Sequence, residues 1–269
     1  MNRKKGLSGA ALKWMAIICM LIDHIGATVA LQHFNRVAAA AAASAAGSEV
    51  FDYSAYMAAY YLYWVLRCIG RFSFPVYCFL LVEGFYHTRS RGRYLRNLLL
   101  FALVSEIPFD LAFYNTLLET DFQNVFLTLA IGLMALWLAE GLWNRLRSRF
   151  VEMDTISPSA IWLLRFLTGL LPVVPAALLA EVLNTDYGGW GVAVIYAFYL
   201  LHDRKTLAAA AGVAIMTIMQ EIEIFGFPGI FAIRAYNGTR GKQPKYFFYI
   251  FYPAHLLILY GVCRLLGYY

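Results

Sequence analysis

The sequence predicts an all-α, polytopic integral membrane protein: a helical bundle of about nine transmembrane helices with a cytoplasmic N-terminus. Three observations carry this. Of 269 residues, 61% are hydrophobic and only 14% charged, where a soluble domain averages about 25% charged. Aromatic residues make up 17%, which fits a chain rich in interfacial Tyr and Trp. The basic residues fall in short clusters between apolar runs, so the net charge of +6 sets orientation in a bilayer and does not point to nucleic acid. The length suits one compact bundle, a single domain over 1–269.

The elements follow in order. Ser8 is placed to cap a first helix that runs to about Leu31. Its N-terminus, Met1-Asn-Arg-Lys-Lys5 and then an apolar run, resembles a signal peptide, and Ala38–Ala46 offers small-residue sites. Asp23-His24 interrupts that run and the rest of the chain is as apolar, so the prediction is a retained span. Residues 34–55 form a polar, Ala-rich external insert, and 55–70 an aromatic interfacial or re-entrant helix ending at Arg67. Further spans are expected at 72–87, 95–114, 124–143, 159–182, 188–201, 206–223, 224–235 and 246–266. Ser157-Pro158 opens the fifth span as N-cap and first helical residue. The count falls to eight if the short segment 224–235 does not cross.

Orientation follows from the loops. Arg3, Lys4 and Lys5 precede the first span. Arg89, Arg91, Arg93 and Arg96 follow the second, and Arg145, Arg147 and Arg149 the fourth. Arg204 and Lys205 follow the sixth, and Arg234, Arg240, Lys242 and Lys245 precede the last. The alternate loops, around Glu119–Asp121, Glu181–Asp186 and Glu221–Glu223, are acidic. That alternation predicts a cytoplasmic N-terminus and an external C-terminus. The four cysteines lie in apolar segments with no metal-ligand spacing, as small buried hydrophobes do, and no metal is expected.

The polar residues inside the spans are the candidate chemistry. Asp23 and His24 stand side by side where hydrocarbon makes an ionisable group costly. Asp23 lies ten residues beyond Lys13, about 15 Å along a helix axis, near the midplane of a ~30 Å core. His255 lies at similar depth in the last span. Glu83 and Glu106 are inside the second and third spans, and Arg71 is at the mouth of the second. Pro75, Pro108 and Pro253 free the carbonyls of Arg71, Val104 and Tyr249, and such breaks are tolerated where they line a cavity or are buried in protein. Blander roles stand beside these. His255 is also suited to a structural hydrogen bond, Glu106 and Asp110 to pairing with Arg67 or Arg71, and Gln123-Asn124 to capping the fourth helix. The basic clusters suit orientation as well as anion binding, and His33, His87 and His202, at span ends, receive no function.

Several segments resemble one family. Leu12-Lys13-Trp-Met-Ala16-Ile-Ile-Cys-Met20-Leu-Ile-Asp23-His24-Ile-Gly26 is similar to the opening motif of the conjugal-transfer TraX family, the F-pilin acetylases. Ile69-Gly-Arg71-Phe-Ser-Phe-Pro75, Glu83-Gly-Phe85, Ser105-Glu-Ile-Pro-Phe-Asp110, Gln123-Asn-Val125 and Asp186-Tyr-Gly188 resemble it too. So do Tyr236-Asn-Gly238, Arg240-Gly241 and Phe251-Tyr-Pro-Ala-His255. The Ala-rich insert departs from the pattern. The resemblance implies an acetyl-CoA-dependent N- or O-acetyltransferase in the bacterial cytoplasmic membrane. It is similar in its first span to the wider transmembrane acyltransferases, where a basic residue is often followed about a dozen residues on by a catalytic His or Asn. Lys13 and His24 stand at those places.

The expected mechanism has acetyl-CoA docking from the cytoplasm on Lys13, Arg89, Arg93, Arg96, Asn237, Arg240 and Lys242, since cationic forks suit phosphate oxygens. An acceptor at the membrane or outside, a peptide amine, glycan or small amine, would meet Arg71, Glu83, Glu106, Asp110, Gln123 and Asn124. His24, oriented by Asp23, would be general base, with His255 or Asn124 stabilising the oxyanion. An acetyl-His intermediate is the other chemical option. The rival class is a proton-coupled secondary transporter, which also uses midplane carboxylates and broken helices. It lacks a visible internal repeat here.

Overall fold

The computed structural model describes residues 5–43, 52–151, 157–244 and 246–269. Arg3, Lys4, Lys245, the 44–51 part of the insert and the side chain of Arg149 lie outside the described residues. The fold is all-helical: α1 Gly9–Ile25, a π-turn Gly26–Ala30, α2 Leu31–Ala43, α3 Tyr53–Gly70, α4 Ser73–His87, α5 Arg91–Tyr114, α6 Val125–Val151, α7 Pro158–Val182, α8 Gly188–Leu200, α9 Lys205–Met219, a 3₁₀ segment Glu221–Gly226, α10 Pro228–Arg234 and α11 Phe247–Leu265.

Among the described residues six helical runs are long and apolar enough to cross a membrane: Gly9–Ala43, Tyr53–His87, Arg91–Tyr114, Val125–Arg147, Pro158–Val182 and Phe247–Leu265. The protein is a multi-pass membrane protein. Two further apolar helices, α8 and α9, have 13 and 15 residues. The expected crossing at 224–235 is not supported, because α10 has seven residues and rises about 10 Å, a third of the hydrocarbon thickness. The aromatic helix at 55–70 is longer than expected. At 18 residues it rises about 27 Å, and Tyr61, Leu62, Trp64 and Val65 point outward.

The Ala-rich stretch also behaves differently from a loop insert. The first helix continues through the π-turn and α2 to Ala43, because alanine has the highest intrinsic helix propensity and Val37–Ala43 offers nothing that breaks a helix. Phe34 fixes α2 to α3 by packing between Tyr56, Tyr60 and Tyr63, with centroids at 5.4, 5.8 and 6.3 Å.

The chain divides into two compact units. The first is Met1–Val76, Val104–Glu119 and Ile222–Tyr269. In it α1 and the π-turn pack on α3 and α11, and α2 packs on α3. The start of α1 is capped from two sides. The Gly9 and Ala10 amides donate to the Thr239 and Arg240 carbonyls at 2.8 and 2.9 Å, and Leu12 donates to the Ser8 carbonyl at 3.0 Å. Ser8 Oγ accepts from Ala11, as its sequence position predicted. The orphan donors of Gly9, Ala10 and Ala11 are therefore satisfied, and Leu12 opens the intrahelical ladder. Gly241, at φ +72°, takes the strap formed by residues 235–242 past Ser8, where a Cβ would collide with the Ser8 hydroxyl. Ser8→Ala removes one cap bond and is expected to cost about 1 kcal/mol, read as a fall of a few degrees in the melting midpoint in detergent.

The second unit is Tyr77–Leu103 and Thr120–Glu221. Here α6 packs on α7 and α8, α7 on α8, and α8 on α9. Ser157 caps α7 through the Ala160 amide, with Pro158 as first helical residue. Glu140 accepts a hydrogen bond from Tyr199 Oη and lies 3.8 Å from Arg165. Arg165 in turn reaches Tyr86 Oη at 3.3 Å.

Candidate functional site

The site forms around the turn of α1 that carries Asp23 and His24. Consecutive helical residues point about 100° apart, so the two side chains serve different faces. Asp23 faces α3. Its Oδ1 accepts from Arg71 Nη2 at 2.6 Å and its Oδ2 from Arg67 Nη1 at 2.7 Å. Arg71 Nη1 also reaches Glu223 Oε1 at 2.6 Å, and its Nε donates to the Arg67 carbonyl at 3.1 Å. Two arginines and two carboxylates thus form a charge-balanced buried cluster, the arrangement in which such charges are tolerated. Gly70 sits against it, and any Cβ there would overlap the Asp23 carboxyl.

His24 faces α11 and α5. Its Nδ1 lies 2.6 Å from His255 Nε2, and the rings are 6° from coplanar. His255 Nδ1 lies 2.8 Å from the Phe251 carbonyl. A carbonyl only accepts, so in the neutral pair His255 carries its proton on Nδ1 and presents a lone pair at Nε2. His24 must then donate from Nδ1, which leaves His24 Nε2 as a bare lone pair. Phe113 and Tyr252 stand edge-on to His24 at 5.4 and 5.9 Å, and Phe251 stacks on His255 at 4.8 Å. His255 is 3% exposed, while His24 is only partly buried. By whole-residue exposure, the basic atom belongs to the less buried histidine of the pair.

The π-turn begins two residues after His24. Thr28 Oγ1 donates to the His24 carbonyl at 2.6 Å, giving it a side-chain donor where the regular ladder is displaced. Single π-turns inside α-helices are frequent at functional sites.

The expected roles divide on this geometry. Asp23 makes no direct bond to the His24 ring: its carboxylate is held by Arg67 and Arg71, and the ring's own partner is His255. Nor is His255 placed as an oxyanion donor, since its Nδ1–H is given to Phe251. Arg71, expected at the substrate, bridges Asp23 and Glu223. Asp110 is fully buried and its Oδ2 accepts the Glu119 amide at 2.9 Å, while Glu106 is half-buried on the same helix. Glu223, read as part of an acidic loop, is 1% exposed and belongs to the buried cluster instead.

Lys13 lies on α1 with Nζ 5.4 Å from the Phe248 ring centroid, near enough to Arg240 for their charges to interact. Asn237 Nδ2 donates to the Gly6 carbonyl at 3.1 Å, and its Oδ1 accepts from Thr239. It therefore shapes the strap, while Arg240 and Lys242 are exposed on it.

The remaining candidates belong to the second unit. Glu83 Oε1 is 2.8 Å from His202 Nε2. Asn124 takes the capping role: its Oδ1 accepts from Phe126 at 3.1 Å and its Nδ2 donates to the Ala102 carbonyl at 2.8 Å. Gln123 exchanges backbone hydrogen bonds with Asn184 and Asp186. Arg89, Arg93 and Arg96 are exposed.

The family profile described as TraX protein matches residues 8–263. The chain belongs to the TraX family. The match covers every residue of the Asp23 cluster and of the histidine pair. The TraX-family chain is also 29% identical over 274 residues to "Probable fimbrial assembly protein FimC, serogroup H1" of Dichelobacter nodosus, covering 96% of this chain and 97% of that one. No solved structure matches it.

Sequence reasoning missed Glu223, the Phe251 carbonyl and the π-turn, and it treated Arg67 only as a partner for Glu106 or Asp110. The signal available for Glu223 was an acid within the apolar pattern Glu221-Ile-Glu-Ile-Phe225.

Proposed function

We propose that this TraX-family protein is a membrane-embedded acetyltransferase that moves an acetyl group from acetyl-CoA to an amine or hydroxyl acceptor, with His24 Nε2 as general base. The observation that carries the reading is the chain from the Phe251 carbonyl through His255 to His24, which leaves one oriented lone pair inside a membrane span. Intramembrane ionisable groups are expensive and mark function by default.

The acceptor N–H or O–H gives its proton to His24 Nε2 as its heteroatom attacks the thioester carbonyl. Collapse of the tetrahedral intermediate breaks the C–S bond, and the thiolate takes the proton back to leave as CoA. His255 Nε2 accepts from His24 Nδ1–H throughout and steadies the imidazolium. Arg67 is half-buried and tied to Asp23, one residue from His24. It supplies positive charge for the oxyanion. Lys13, Arg240 and Lys242 offer charge to the donor phosphates. Side chains must do this, because the N-terminal amides of α1 are already bonded. Arg89, Arg93 and Arg96 enter as the basic residues that support a cytoplasmic N-terminus in a bacterial cytoplasmic membrane. The carrier reading loses ground, because Asp23 is held in ion pairs and is not a free proton-binding carboxylate.

Purified protein in nanodiscs, given acetyl-CoA with both an amine and a sugar acceptor, is expected to release CoA. Folded protein that neither binds nor consumes the donor contradicts the reading.

A further inference from the structure

We infer that Glu223 is a positioning residue for His24: Glu223 holds Arg71, Arg71 holds Asp23, and Asp23 fixes the rotation of the α1 turn that carries His24. The inference rests on the proposed role of His24 and deepens it. Glu223 is two hundred positions away in the chain, on the 3₁₀ segment, and it is there for a packing reason. Phe225 stands edge-on to Trp64 at 5.2 Å. Gly226 lies so close to the Arg71 carbonyl that an added Cβ would sit 3.0 Å from it. Gly229 lies against Val76 and Phe72. The segment is thus seated on the junction of α3 and α4, with Glu223 Oε1 on Arg71 Nη1 at 2.6 Å and Arg71 Nη2 on Asp23 Oδ1 at 2.6 Å.

The consequence is geometric. Asp23 anchors one face of α1 and His24, about 100° around, must meet His255 on another. Immediately C-terminal the π-turn interrupts the regular ladder, so the rotation of this turn depends on side-chain anchors. A rotation of about 10° at a side-chain radius of about 6 Å moves the imidazole by about 1 Å. A displacement of that size can slow catalysis by about 10²-fold. Glu223 touches no reacting atom in this account and acts only through Arg71 and Asp23.

The test compares Glu223→Met, Glu223→Gln and the double variant Arg71→Met/Glu223→Met in nanodiscs. It measures kcat and KM for acetyl-CoA together with ¹⁵N spectra of the histidines. Glu223→Met is expected to lower kcat by about 10- to 100-fold with KM little changed, and to disturb the His24 Nδ1–H signal. Glu223→Gln keeps an acceptor oxygen for Arg71 and is expected within about threefold of wild type. A role in charge balance alone would make Gln as poor as Met. The double variant stays charge-balanced and folded, yet is expected to be as slow as Glu223→Met; it replaces that variant should Glu223→Met not fold. Wild-type kcat and an unaltered histidine spectrum in Glu223→Met, or in the double variant, overturn the inference. If wild type itself releases no CoA, the acetyltransferase reading fails, while the histidine spectra still decide whether Glu223 positions His24.

Discussion

Replacing His24 with glutamine is expected to lower acetyl transfer by about 10³-fold, the usual size of a lost general base, while the protein stays folded. Replacing His255 with glutamine is expected to cost far less, about tenfold, as lost orientation rather than lost base. The asymmetry follows from the hydrogen-bond chain. His255 serves His24 by accepting from Nδ1–H, and a glutamine carbonyl oxygen can accept the same proton. Nothing in a glutamine at position 24 supplies the Nε2 lone pair. Steady-state CoA release by the two variants and wild type checks this. Equal losses would mean that both rings take part directly in proton or acyl transfer.

The second large effect is on stability. Arg71→Met is expected to destabilise the protein by about 3–5 kcal/mol, because it leaves the Glu223 carboxylate buried without its guanidinium. Asp23 retains Arg67, so the loss concentrates at Glu223, which is 1% exposed. Adding Glu223→Met to Arg71→Met is expected to recover most of that loss, since a buried ion pair replaced by apolar groups is often neutral. Unfolding in mixed micelles measures both. A single variant within about 1 kcal/mol of wild type would show that the pair is solvated.

Much of this was legible in the sequence, and the failures have physical causes. Ser8, Ser157 and Asn124 are short polar residues at the edges of apolar runs, and capping is a local interaction, so each was found. Asp23, His24 and His255 stood out because a bilayer makes polar groups conspicuous. The adjacency of Asp23 and His24 misled: neighbours in sequence diverge by about 100° on a helix, and each found its partner on another element. Glu223 was lost because counting loop charges cannot separate a solvated acid from one buried 152 residues away from its arginine. The helix through Val37–Ala43 runs against the expectation of an insert, because alanine's helix propensity prevails over the low complexity of the stretch. The π-turn leaves no pattern of its own, since Gly26–Ala30 is as apolar as any helical turn.

The most direct test of the account is the protonation state of His24 itself, read from ¹⁵N spectra of histidine-labelled protein in nanodiscs, with His24→Gln used to assign the signals. The account predicts a protonated Nδ1 coupled across the hydrogen bond to His255 Nε2, and an unprotonated Nε2 on His24. A His24 protonated at Nε2, or one with no coupling to His255, would contradict it.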